Sequence, residues 1–247
     1  MQKTAWRCGW GIIAMLGVAA CEKKDGPSGR STVPSLPGRL SVVAGGAGSP
    51  GTADSDIAAK GNGLPEGYLA QTDLPNASIA DASYQADSTR RWEVRTGPAH
   101  ILYSLKDTTR KVYNVTATLE QLEKPAHPEA YGVFIGGSTL DVSAKRQYTY
   151  FLVRGDGKYM VKVRNGTRTR TVIDWTAHPA VPQEDTAGKA VYGIKIDVDG
   201  KTAKVSVNGK PVTTILSKSG PLEGVTGIRI NHNLHLMVTP LSVVRVR

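Results

Sequence analysis

The sequence predicts an all-β fold, a two-sheet antiparallel β-sandwich, and three observations predict it. Short segments alternating apolar with polar residues, rich in Val, Ile, Thr and Tyr, recur from Trp92 to residue 247. Turn pairs suited to tight hairpins stand between them, notably Asp199 with Gly200 and Asn208 with Gly209. No run with a 3.6-residue apolar period competes anywhere in that region.

The chain ahead of the domain reads as an export device. Residues 1–20 carry Lys3 and Arg7, then an uncharged run through Ile12, Ile13, Met15, Leu16 and Val18, and close on small residues. That is the order of a signal peptide, and the apolar run is too short to span a bilayer. Val18, Ala19, Ala20 and Cys21 resemble a lipobox, which implies cleavage before Cys21 and a diacylglycerol anchor on its thiol. An ordinary secretory peptide with an incidental cysteine is the alternative. Glu22 is not Asp, so the sorting rule of enteric bacteria implies passage beyond the inner membrane. The expected location is the periplasmic face of the outer membrane or the cell surface.

Cysteine and charge narrow the chemistry. Cys8 leaves with the signal and Cys21 is acylated, so the mature fold is expected to have no disulfide, catalytic thiol or Cys metal site. Losing Lys3 and Arg7, with no acid, takes the net charge from +10 to +8. An exported cationic chain meets lipid head groups and acidic polysaccharides rather than nucleic acid. Residues 22–76 are rich in Gly, Pro, Ser, Ala and Asp and lack Phe and Trp. Such a stretch cannot bury enough surface to offset its ordering entropy. The expected organisation is a signal at 1–20, the lipidated cysteine and a flexible linker at 21–78, and the sandwich at 79–247.

Within the domain, Trp92, Val94 and 100–105 read as early strands. Residues 110–122 alternate most clearly, with Tyr113, Val115, Ala117 and Leu119 on the apolar side. Tyr131, Val133 and Ile135 alternate with Gly132, Phe134 and Gly136, so both faces are apolar or small, as in the middle of a sheet. Residues 148–154 and 158–164 form a hairpin about Gly155, Asp156 and Gly157. The Arg154, Gly155, Asp156 triplet spells an adhesion tripeptide, but a turn there needs Gly and Asp anyway. Strands follow at 168–175, 191–198, 201–207, 211–216, 225–230, 234–238 and 241–246.

The segments YGVFIGG, YTYFLVRGDGKY, VSVNGKPV and GIRINHNL, with Trp175, Thr176, His178 and Pro179 between them, resemble a group of uncharacterised bacterial secreted proteins and lipoproteins. The resemblance implies a concanavalin A-like jelly roll related to laminin G-like modules, from about Trp92 onward. It implies no agreed activity.

The candidate sites follow from residue chemistry. The Glu-x-Asp-x-x-Glu strand of laminarinase-like hydrolases is absent; Lys195, Asp197 and Asp199 come nearest, with a lysine where the first glutamate belongs. Asp197, Asp199 and Gly200 could open a calcium loop but lack its later ligands, and a hairpin turn accounts for them. His232 and His235 are three apart, hence on opposite faces of a strand and not a metal pair. Trp175 with His178, joined by Asn231 and His232, would suit a polar and aromatic carbohydrate platform. Lys158, Lys162 and Arg164 share one face of a strand, and Arg168 and Arg170 share a face of the next; together they would form an electropositive surface for an acidic polysaccharide. A solvated sheet face is the plainer account. The resulting expectation is a membrane-anchored, non-catalytic module binding acidic or neutral glycans, with no cofactor and no metal. A sugar-processing hydrolase and a structural or protein-interaction role in the envelope are the alternatives.

Overall fold

The structure is a computed structural model that describes residues 63–246. The signal, Cys21 and most of the expected linker lie outside the described residues. Among those described, no helix is long and apolar enough to cross a membrane.

Among the described residues fifteen strands run in chain order: β1 (Leu69–Thr72), β2 (Ala82–Ala86), β3 (Trp92–Thr96), β4 (His100–Thr109), β5 (Val112–Gln121), β6 (Ala130–Ser138), β7 (Gln147–Arg154), β8 (Lys158–Asn165), β9 (Arg168–Ala177), β10 (Ala190–Asp199), β11 (Thr202–Val207), β12 (Lys210–Leu216), β13 (Gly224–Ile230), β14 (His235–Val238) and β15 (Ser242–Arg245). A seven-stranded sheet has the order β1-β4-β13-β6-β7-β8-β9. An eight-stranded sheet has the order β12-β11-β10-β5-β14-β3-β2, with β15 also paired to β5. All strand pairs are antiparallel, so the predicted sandwich is the observed one.

Alternation places the core. Tyr113, Val115, Ala117 and Leu119 of β5 face inward, and Tyr192, Ile194, Ile196 and Val198 of β10 extend that layer. They meet Leu102, Tyr131, Val133, Ile135, Phe151, Val153, Ile228 and Ile230 of the other sheet. β6 is the central strand of its sheet and is buried on both faces, as its unbroken apolar content requires.

The hairpin chemistry holds in detail. Gly200 and Gly209 have φ of +86° and +76°, which only glycine adopts without strain. Asp199 Oδ1 accepts from the Lys201 and Thr202 amides, and these bonds hold its carboxyl down at about 2. Its oxygens therefore serve the turn. At the β7–β8 turn, Arg154 pairs with Asp156 at 2.5 Å and Lys158 joins them at 3.1 Å. The Arg-Gly-Asp triplet is thus locked onto itself.

One boundary needs correction. Leu69–Thr72 pairs with His100–Tyr103 as an edge strand, so the sheet begins ahead of residue 79. A four-residue strand is too short to announce itself by periodicity, and Ala70 and Gln71 do not alternate with their neighbours.

Candidate functional site

The seven-stranded sheet has a second apolar layer on the face turned away from the sandwich interior. Ile101, Tyr103, Phe134, Tyr148, Tyr150, Leu152 and Met160 form it, with Leu140 from the β6–β7 loop laid over them and Trp175 against its rim. Strand register arranges this outer face in rows. One runs Tyr103, Gly227, Phe134, Tyr150, Lys162, Thr171. The next runs Ile101, Arg229, Gly132, Leu152, Met160. A third runs Ala130, Arg154, Lys158, Ala177.

Charge enters this layer through arginines. Arg229 makes a bidentate pair with Asp73, at 2.9 and 2.6 Å, and Arg164 stands 3.9 Å from the same carboxylate. Arg164 Nε donates to the Gly166 carbonyl, and Arg146 donates to the Thr72 carbonyl. Burial works against the Arg229 charge, but Asp73, Tyr148 and Tyr150 overcome it, so its pKa is raised. Burial, with Arg164 adding to it, pulls the pKa of Arg146 down. At the rim, the Arg154 guanidinium lies 4.2 Å from the centre of the Trp175 ring, a cation–π contact. Burial lifts the Tyr150 phenol to about 12.

Part of the expected electropositive surface is here. Lys158, Lys162 and Arg164 share the outer face, although Arg164 is buried as part of the floor. Arg168 and Arg170 do not join them. The two-residue turn at Gly166 and Thr167 sets Arg168 opposite Asn165 and Arg170 opposite Val163, so both point to the other side of the sheet. There they line a separate groove of about 440 Å³ with Lys218, Ser219 and Gly220. Turn length decides which face of one strand meets which face of the next, and nothing in the alternation of either strand announces it.

The expected aromatic platform also divides. Trp175 sits on the outer face, whereas the His178 ring packs edge-on to Tyr159 of the inter-sheet core at 6.1 Å. His178 Nδ1 accepts from the Ala180 amide, which fixes the loop and leaves Trp175 without it. Asn231 bridges Arg229 at 3.3 Å and Glu129 at 3.1 Å, and His232 meets Glu129 at 2.8 Å. These two residues therefore buttress the arginine end of the face.

Sequence reasoning missed Arg146, Arg229, Asp73 and Tyr150. A signal existed for one: Arg229 is the lone charge in the apolar run GVTGIRI, and a buried charge requires a partner. Glu129, Asp156 and Glu184 line a cavity of about 190 Å³ beside the Arg154 end, with Gln121 and Lys124. Each carboxylate is held by partners: Glu184 by Gln121 and Lys124, Glu129 by Asn231 and His232, Asp156 by Arg154 and Lys158. The Arg154 hydrogen bonds lead in lowering the Asp156 pKa, opposite to what a general acid needs. On the other sheet's outer face, an open depression of about 680 Å³ is lined by Lys195, Asp197, Lys204, Ser206 and Thr213, without an aromatic residue.

No protein-family model matches the chain, and no curated protein matches it in sequence. Solved structures do match in fold. The carbohydrate binding module CBM66 from Bacillus subtilis is 9% identical with a TM-score of 0.50, over 72% of this chain and 95% of that one. A Bacillus subtilis protein of unknown function with a galectin-like fold is 16% identical with a TM-score of 0.49, over 70% and 95%. Alginate lyase A1-II', a member of polysaccharide lyase family 7, is 14% identical with a TM-score of 0.47, over 66% and 84%. At 9% identity the similarity to the carbohydrate binding module shows a shared two-sheet β-sandwich fold alone.

Proposed function

We propose that the chain is a lipid-anchored, non-catalytic glycan-binding module whose ligand lies across the outer face of the seven-stranded sheet. The observation that carries this reading is the join of Lys162, Trp175 and Arg154 on one face, with Lys158 directly opposite Arg154. Aromatic faces accept the C–H side of a sugar ring, and the cations accept its acid and hydroxyl groups. The fold shared with a carbohydrate binding module agrees with the proposal. The hydrolase alternative is the weaker reading, because every carboxylate at the 190 Å³ cavity is engaged by a neighbour.

Titrating acidic and neutral glycans at about 0.05 and 0.3 M salt tests it, since screening separates charge from stacking. Acidic chains are expected to bind more tightly at low salt. Lys162→Ser combined with Trp175→Ala is expected to weaken binding about tenfold, consistent with one cation and one aromatic contact. Arg170→Ser, on the opposite side of the sheet, is expected to leave binding unchanged. Equal affinity in the double variant and the parent would remove this face from consideration.

The anchor is a separate part of the proposal, supported by the sequence Val18, Ala19, Ala20, Cys21. Glu22 in place of Asp after that cysteine supports passage beyond the inner membrane, to the periplasmic face of the outer membrane or the cell surface. Cys21→Ser is expected to move the protein out of the membrane fraction; continued partition with membranes through its N-terminus would show that lipidation is not the anchor.

A further inference from the structure

We propose that the arginine cluster on the outer face is an oxyanion seat, filled by Asp73 in the protein alone and by a carboxylate or sulfate group of an acidic glycan in the complex. The inference rests on the glycan-binding reading and names the ligand chemistry of that face.

Two guanidinium groups, Arg164 and Arg229, stand at the Asp73 carboxylate, and a third, Arg146, donates to the neighbouring Thr72 carbonyl and feels the same charge. Pairing Asp73 with any one of them leaves two positive charges in a buried layer. The Nε atoms of Arg146 and Arg229 have no hydrogen-bond partner among the described residues, although these residues are only 3% and 6% exposed. Buried donors are normally satisfied, so a cluster with spare N–H groups and spare charge is built to hold more anion than it holds. The guanidinium fork also matches the planar spacing of a carboxylate or sulfate, which an ammonium does not.

Access runs through Asp73. Its side chain is 25% exposed, against 7% for Arg229 and 9% for Arg164, so solvent reaches the cluster at the carboxylate. Asp73 directly follows β1, a four-residue edge strand paired only to β4 and flanked by the exposed Leu69 and Leu74. β1 has no fully buried residue, the kind of short edge segment from which local opening is drawn. When the Asp73 carboxylate turns out to water and a ligand anion takes its place, Arg229 passes from one bidentate partner to another. The exchange itself adds no unpaired buried charge, since one anion replaces another. Arg164 lies two residues along β8 from Lys162 on the same face, so a chain laid over Lys162 brings an acid group toward the seat.

The test titrates D-glucuronate, inorganic sulfate and D-glucose against the full chain and Asp73→Ala. Ionic strength is held constant with chloride, and affinity and thermal midpoint are read together. Asp73→Ala is expected to lower the midpoint in chloride, and glucuronate or sulfate to restore it. The variant should bind the anion about tenfold more tightly than the parent, as follows if Asp73 vacates the seat about a tenth of the time. Glucose should do neither. A response to glucuronate alone assigns the seat to uronic acids, and a response to sulfate alone assigns it to sulfate esters. If Asp73→Ala does not fold, Asp73→Asn gives the same comparison with the shape kept and the charge removed. An Asp73 variant that binds both anions no better than the parent overturns the proposal. If Lys162 and Trp175 still prove necessary for glycan binding, only the seat falls and the face stands. Tighter anion binding by the Asp73 variant, with no glycan bound by the parent, keeps the seat and removes the wider reading.

Discussion

Gly132→Ala is expected to lower the unfolding free energy by about 4 kcal/mol or more, the range reserved for severe overpacking. Gly132 lies in β6 opposite Arg229 on one side and Leu152 on the other. A Cβ there would stand 2.0 Å from the Phe151 carbonyl oxygen and 3.0 Å from Leu152 Cα. Both are backbone atoms of β7, so no rotamer change relieves the clash and the two strands must part. Separation at the middle of the sheet would also break the row that seats Arg229. Gly209→Ala is the control, because nothing lies within 4 Å of its Cβ and its φ of +76° alone is at fault. It should cost about 1 kcal/mol. Urea unfolding of both variants decides the matter; a Gly132→Ala midpoint near that of the control would mean that the sheet yields far more easily than its register implies.

The second large effect is a loss of stability in acid that belongs to His100. This residue is fully buried; its Nδ1 donates to the Pro98 carbonyl, which leaves Nε2 to accept from the Tyr84 hydroxyl. Burial is the leading cause that brings its pKa from 6.5 to about 4, with Arg229 adding to it and the Pro98 bond and Asp73 opposing. The folded protein therefore keeps the ring neutral where the unfolded chain already takes up a proton. Stability is unaffected above about pH 6.5, declines as pH falls below it, and stops declining below about pH 4, where both states are protonated. A gap of about 2.5 units at 1.36 kcal/mol each amounts to about 3 kcal/mol. His100→Gln should be less stable at neutral pH yet lack this decline. Asp87 and Asp199, both held down at about 2, contribute their own losses only below about pH 4. Urea midpoints between pH 7.5 and 4.5 give the result, and parallel slopes in parent and variant would exonerate His100.

The strands were legible because their period is local. Tyr113 to Leu119 announces which side of β5 is buried, and Asn208 with Gly209 announces where the chain reverses; both are decided within ten residues. The site was legible only where one strand holds it, as with Lys158 and Lys162. Arg146, Arg229 and Asp73 come from three distant segments, and only the order β1-β4-β13-β6-β7 brings them together. The misplacement of Arg168 and Arg170 has a different cause. Alternation states which residues of a strand share a face, but not which face of its neighbour they match; the turn at Gly166 and Thr167 decides that, pairing Arg168 with Asn165 and Arg170 with Val163. The doubly apolar pattern of Tyr148 to Val153 carried information that was not decoded. In a molecule of two sheets, a strand apolar on both sides must have something laid over its outer side, and here that is Leu140 and its loop.

The irregular pairing of β8 with β9 also bears on how separate molecules behave. β9 is ten residues long and closes one side of its sheet, so its outward amides and carbonyls offer a template on which a strand from another molecule could add. Two register shifts twist that border, and Arg168 and Arg170 stand exposed along it. A neighbour bringing the same border would meet like charge on a bent line, which disfavours continuation of the sheet from one molecule into the next. Part of the protein's positive charge thus works against the merging of separate copies into a shared sheet.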